Sequence, residues 1–221
     1  MIKGAIFDVD GVILNSMPVW ENLGELYLER LGKSAEKDLG KILFEMTLEE
    51  AAEYLIAHYD LEKTTEQVVD GLVYEVKEFY AEKVPLKEGV RQFLDEFRER
   101  KIPMAIATSG DKSNVEAALK RLKVMQYFQG IFTCSEVGTG KNNPDVYLAA
   151  ALQIDTEPSE TLVFEDAYHA LRTVKRAGFK TVAVYDQAND SNLAGIWNTA
   201  DIYLAEFKDF NMFWKRANEI D

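Results

Sequence analysis

The sequence predicts an α/β protein: a parallel β-sheet with helices on both faces, interrupted after its first strand by an all-helical insertion. Three observations carry this expectation. Residues 2–7 (Ile-Lys-Gly-Ala-Ile-Phe) form a short, mostly apolar run that stops abruptly at Asp8, as a buried strand does. Residues from about 16 to 83 carry almost no strand signal. After Pro85 short apolar runs alternate with helical stripes, the signature of a parallel sheet with crossover helices. The expected division is a core formed by 1–15 and 84–221, with a helical cap subdomain at 16–83.

Within the insertion, Trp20, Leu23, Tyr27, Leu28 and Leu31 fall on one helical face. Thr47 with Glu50, and Thr64 with Gln67, have capping-box spacing ahead of apolar-periodic runs. Val69, Leu72, Val73, Val76, Phe79 and Tyr80 predict a further apolar stripe. In the core, Val90, Phe93, Leu94 and Phe97 predict a helix, and 103–107 a strand ending at Thr108. Val115, Leu119 and Leu122 predict the next helix, and 130–133 a short strand. Asn143-Pro144 reads as a helix start with proline in the first turn. Residues 161–164 predict a strand ending at Glu165-Asp166, followed by a helix over 167–177 closed by Gly178. Two last strands are expected at 180–185 and near 201–204.

Composition narrows the partners. Asp and Glu total 38 against 25 Lys and Arg, a net charge of −13, so no long-range field attracts nucleic acid or anionic membranes. A small phosphorylated ligand remains compatible, provided a metal ion or a placed lysine supplies local positive charge. Cys134 is the single cysteine, which precludes an intrachain disulfide. The first residues meet carboxylates too early for a signal peptide, and no apolar run approaches membrane length. A cytoplasmic monomer is the expectation.

The chemistry gathers at strand ends, where open parallel sheets bind their ligands. Three predicted strands end on polar groups: Asp8, Thr108 and Glu165-Asp166. Asp8 and Asp10, two apart and followed by Gly11, suit a nucleophile and a general acid/base on one face. Thr108-Ser109-Gly110 offers hydroxyls and backbone amides to phosphate oxygens, and Lys141 lies in a loop before a predicted helix. Glu165 and Asp166 form an oxygen-ligand pair suited to magnesium. Taken singly, each piece also reads as a turn, a helix entry or a surface lysine.

In this order the four pieces resemble the haloacid dehalogenase superfamily, specifically its phosphatase and β-phosphoglucomutase-like members with a small helical cap. The resemblance spans Phe7 to about Tyr185. It implies a Rossmann-like core, Asp8 as nucleophile, Asp10 as general acid/base, and Thr108 and Ser109 at the phosphate. It further implies Lys141 as the phosphate-orienting base. Magnesium would be held by Asp8, Asp166, the Asp10 carbonyl and the adjacent acid Glu165. The expected reaction is magnesium-dependent hydrolysis of a small phosphorylated metabolite through an aspartyl-phosphate.

Several positions depart from the family's habit: Asn15-Ser16, Lys141-Asn142, Glu88-Gly89 and Ala170. A mutase usually carries a cap histidine where this chain has Trp20, and a cation in the loop corresponding to Phe44-Glu45-Met46-Thr47-Leu48. Lys77 or Lys83 would have to replace that cation. A phosphosugar mutase is therefore the alternative expectation. A receiver domain phosphorylated on Asp8 ranks third, because receivers lack the long insertion. His58 and His169 read as ordinary helix positions, and Trp20 and Met46 as packing between cap helices.

Overall fold

A computed structural model describes residues 1–43 and 46–220. The chain divides into two compact units, Met1–Asn15 with Pro85–Asp221, and Ser16–Val84. Phe44 and Glu45, part of the loop noted above, lie outside the described residues.

The first unit is built on six parallel strands: β1 (Gly4–Phe7), β2 (Met104–Thr108), β3 (Ile131–Thr133), β4 (Thr161–Glu165), β5 (Lys180–Val184) and β6 (Ile202–Leu204). Their order is β3-β2-β1-β4-β5-β6. The chain steps outward from β1 to β3, then returns to the other side of β1, so β1 and β4 flank the topological switch point. Phe7 pairs with Phe164 across β1 and β4, and their rings stack at 4.3 Å. Side chains alternate between faces, and one face meets an aliphatic layer in which Ile6, Ala105 and Val163 pack with Val146, Ala150 and Val174. Phe7 and Phe164 instead join Phe97 and Phe213 in an aromatic layer.

The second unit holds five α-helices among its described residues, α1 (Met17–Glu21), α2 (Leu23–Arg30), α3 (Leu39–Leu43), α4 (Leu48–Tyr59) and α5 (Thr65–Glu78), the last running on into a π-helical turn at Phe79–Lys83. Both expected capping boxes form: Thr47 accepts from Glu50 and Thr64 from Gln67, with each partner's side chain returning the bond. The stripe from Trp20 to Leu31 is broken at Asn22 into α1 and α2. The buried face of α5 is Val68, Leu72, Glu75 and Val76, while Val73 is exposed. Glu75 can be buried because the Arg30 guanidinium binds it with two nitrogens, a paired charge that periodicity of apolar residues does not register. Trp20 and Met46 line a cavity of about 390 Å³ with Met17, Leu23 and Leu72, within this unit.

The core helices are α6 (Val90–Glu99), α7 (Lys112–Arg121), α8 (Cys134–Val137), α9 (Asp145–Gln153), α10 (Tyr168–Arg176), α11 (Leu193–Thr199) and α12 (Phe210–Asn218). Gly178 follows α10 at φ 86°. Pro144 stands one position before α9. α12, which the sequence reading did not anticipate, delivers Phe210 and Phe213 against Phe93 and Phe97.

Asp201 sets the entry of β6. Its Oδ2 accepts from the backbone N–H and hydroxyl of Thr181 on β5, both at 2.8 Å, and its Oδ1 pairs with Lys175. Burial opposes the charge, but Lys175 and the two Thr181 donors win and hold the carboxyl below the usual range. A depressed folded-state pKa adds stability above the unfolded value, lost as pH falls through the folded one. We predict that Asp201→Asn costs about 1.5 kcal/mol at pH 7. In urea unfolding across a pH series, its deficit against wild type should shrink below about pH 4.

Candidate active site

Short apolar strands deliver the site residues because each strand runs out of buried length at the same sheet edge. Asp8 directly follows β1, Thr108 is the last residue of β2, Glu165 is the last of β4, and Asp166 comes next. One oxygen from each of Asp8, Glu165 and Asp166 lies within 4.8 Å of the others, and all three residues are buried.

Lys141 comes to this cluster from the loop between α8 and α9. Its Nζ stands 2.6 Å from Asp8 Oδ1 and 2.6 Å from Glu165 Oε1. Burial works against the ammonium, yet the neighbouring Asp8 and Glu165 carboxylates raise its pKa above the ordinary lysine value. Lys141 is therefore a fixed cation.

Glu165 Oε1 also accepts a 2.6 Å bond from the Tyr147 hydroxyl, on α9. Among the described residues its other oxygen, Oε2, is buried without a hydrogen-bond donor. Burial first, then the Asp8 charge, push the Glu165 carboxyl up to about 7. Asp166 is also shifted well upward by burial and by Asp8 and Glu165. Three carboxylates face one lysine here, which leaves two formal negative charges when all are ionised. An unpartnered carboxylate oxygen in an all-oxygen donor set with that excess fits a hard divalent cation such as magnesium.

The turn after Asp8 is tight. Val9 O accepts from the backbone N–H groups of Val12, Ile13 and Leu14, and Gly11 sits at φ 74°. A Cβ on Gly11 would stand 2.4 Å from Asp166 Oδ2, so both the backbone angle and the close approach require glycine. Asp10 Oδ2 lies near Gly110, 3.2 Å from where a Cβ there would be. The Thr108 hydroxyl, at 0% exposure, accepts from the Gly110 N–H at 3.0 Å. Ser109 is exposed, and its Oγ lies 3.4 Å from Cys134 Sγ.

The structure thus joins Lys141 to Asp8 and Glu165 by direct contact, sets Asp166 within 4.8 Å of both acids, and places Thr108 and Asp10 around Gly110. Two neighbours escaped sequence reading. Tyr147 follows Lys141 by six positions among apolar residues and looks like core. Asn189, whose Nδ2 donates to Asp166 Oδ2 at 2.8 Å, lies in a polar stretch indistinguishable from a surface turn. No helix among the described residues is long and apolar enough to cross a membrane.

The haloacid dehalogenase-like hydrolase family model matches residues 5–184. A phosphorylated carbohydrates phosphatase from Thermotoga maritima is 26% identical over 190 residues, covering 86% of this chain and 88% of that protein. A validoxylamine A 7'-phosphate phosphatase from Streptomyces hygroscopicus subsp. limoneus is 28% identical over 213 residues, 95% of this chain and 96% of the relative. A solved Thermotoga maritima structure with a provisional β-phosphoglucomutase assignment superposes with a TM-score of 0.85. It is 24% identical and covers 97% of this chain and 99% of its own, a likeness of fold. Strand order, strand-end acids and a match over most of the chain agree: the protein belongs to the haloacid dehalogenase-like hydrolases.

Proposed function

We propose that the protein is a magnesium-dependent phosphatase acting on a small phosphorylated metabolite, with Asp8 as the phosphoryl acceptor. The observation that carries this reading is the Asp8 carboxylate held by a buried lysine beside Glu165 and Asp166. Phosphorylated carbohydrates are the first substrates to test, given the activity for which one relative is named.

An Asp8 oxygen attacks phosphorus, forming the acyl-phosphate bond as the bond from phosphorus to the substrate oxygen breaks. Asp10 gives its proton to the departing alkoxide. It then takes a proton from water, whose oxygen attacks the same phosphorus and releases inorganic phosphate and free Asp8. Thr108 and Lys141 hold the non-reacting phosphoryl oxygens, Lys141 carrying fixed positive charge into the cluster. Asp8, Asp166, the Asp10 carbonyl and Glu165 would hold magnesium. Bound there, the ion would neutralise charge shared by the acids and the phosphoryl group.

Tyr147 contributes through Glu165. Together with Lys141 it occupies Oε1, which leaves Oε2 as the Glu165 oxygen without a hydrogen-bond partner.

Asp8→Asn is predicted to abolish magnesium-dependent release of phosphate from sugar phosphates while leaving the protein folded by circular dichroism. Full activity in that variant rules out the Asp8 nucleophile. Asp10→Asn should lose about 10²–10⁴-fold in turnover. Formation of glucose 6-phosphate from β-glucose 1-phosphate with a bisphosphate primer, without net phosphate release, would favour the mutase alternative. For Tyr147→Phe the expected cost is about 1.5–3 kcal/mol in urea unfolding, because the lost bond goes to a buried carboxylate. An unchanged midpoint would show that Glu165 does not depend on this hydroxyl.

A further inference from the structure

Asp166 carries a bond from a segment distant in sequence. Asn189 Nδ2 donates to its Oδ2 at 2.8 Å, and an ionised carboxylate can only accept, so the asparagine must present its amide N–H. Asn189 belongs to a 3₁₀ turn (Gln187–Asn192) begun by Asp186, whose Oδ1 accepts from Ala188 N at 3.1 Å. The Asn189 backbone N–H donates to Asp186 O, also at 3.1 Å.

That turn is anchored by Lys87. Its Nζ lies 2.8 Å from Asp186 Oδ2, 2.6 Å from Tyr185 O and 2.6 Å from Gly11 O. An ammonium has three hydrogens, and these three acceptors use them all. The Lys87 side chain is 17% exposed and that of Asp186 7%, so this ion pair is largely shielded from water. One lysine thereby joins the turn that carries Asn189 to the turn that carries Asp10 and Gly11. Gly11 in turn abuts the Asp166 oxygen that Asn189 holds.

We propose that Asn189 is a positioning residue for the magnesium ligand Asp166, and that the Lys87–Asp186 pair is the anchor that sets it. The inference rests on reading Asp166 as a metal ligand. The amide is neutral, so it fixes the carboxylate's orientation without offsetting the negative charge that draws the cation. A cationic donor at the same place would oppose metal binding. Outer-shell donors of this kind shape metal affinity more than fold stability.

The test is calorimetric titration of magnesium chloride into the metal-free full-length protein, for wild type and Asn189→Leu. Thermal unfolding in chelator is measured alongside. The expected result is a magnesium dissociation constant weakened about 10–100-fold. The metal-free midpoint should move by no more than about 4 °C. The concentration of magnesium needed for half-maximal phosphatase activity should rise in parallel. Should Asn189→Leu not fold, Asn189→Ala removes the same donor with less bulk on a surface turn. A dissociation constant within about twofold of wild type would overturn the role of Asn189, whatever the midpoint does. Wild-type protein that binds no magnesium would instead overturn the metal reading itself, which keeps the two failures apart.

Discussion

The site depends on one interaction: the buried Lys141 ammonium shared at 2.6 Å between Asp8 and Glu165. It is the single lysine or arginine among the buried residues described. Without it, three carboxylates would crowd one strand edge with no protein cation in direct contact. Breaking a buried pair from one side typically costs about 3–5 kcal/mol because the remaining charge is stranded. With it, the cluster still carries an excess of negative charge. That excess links fold to the proposed chemistry, because an all-oxygen set with net negative charge suits a divalent cation. In the proposed reaction a substrate phosphate would meet Lys141 and such a cation together, in a molecule whose overall charge is −13.

The fold supplies the rest through topology. Because β1 is central and β4 lies beside it, Asp8 and Glu165 end adjacent strands although 157 positions separate them. The stacked Phe7 and Phe164 rings, one residue before each acid, fix those ends relative to each other. Aromatic and aliphatic side chains pack below this edge and support the strand ends that carry the acids, the kind of support that preorganised charge requires. Lys87 does the same for the turns above the edge by joining Gly11 to the loop after β5.

Strand ends and helix starts were legible in the sequence because their causes are local. An apolar run stopping at Asp8 or Glu165 needs no tertiary knowledge, nor does a threonine three residues before Glu50 or Gln67. The family pattern then gathered Asp8, Asp10, Thr108, Lys141 and Asp166 as one set. Glu75, Tyr147 and Asn189 were illegible for the opposite reason. A buried glutamate on an apolar face makes sense only when Arg30 arrives from another helix. Tyr147 looks like core until Glu165 meets its hydroxyl, and Asn189 looks like a turn until Asp166 does. Ser109, expected at the phosphate from the Thr108-Ser109-Gly110 run, has its hydroxyl beside Cys134, a neighbour the run does not announce.

The central claim is that Asp8 becomes covalently phosphorylated during turnover. The most direct measurement is borohydride trapping: enzyme turning over a sugar phosphate with magnesium is quenched, reduced and mapped by peptide mass spectrometry. An acyl-phosphate at Asp8 is reduced to the alcohol, so homoserine should replace aspartate at position 8 and nowhere else, in a substrate-dependent manner. Turnover with an unmodified Asp8, or with the reduced residue at Asp10, Glu165 or Asp166, would contradict the account.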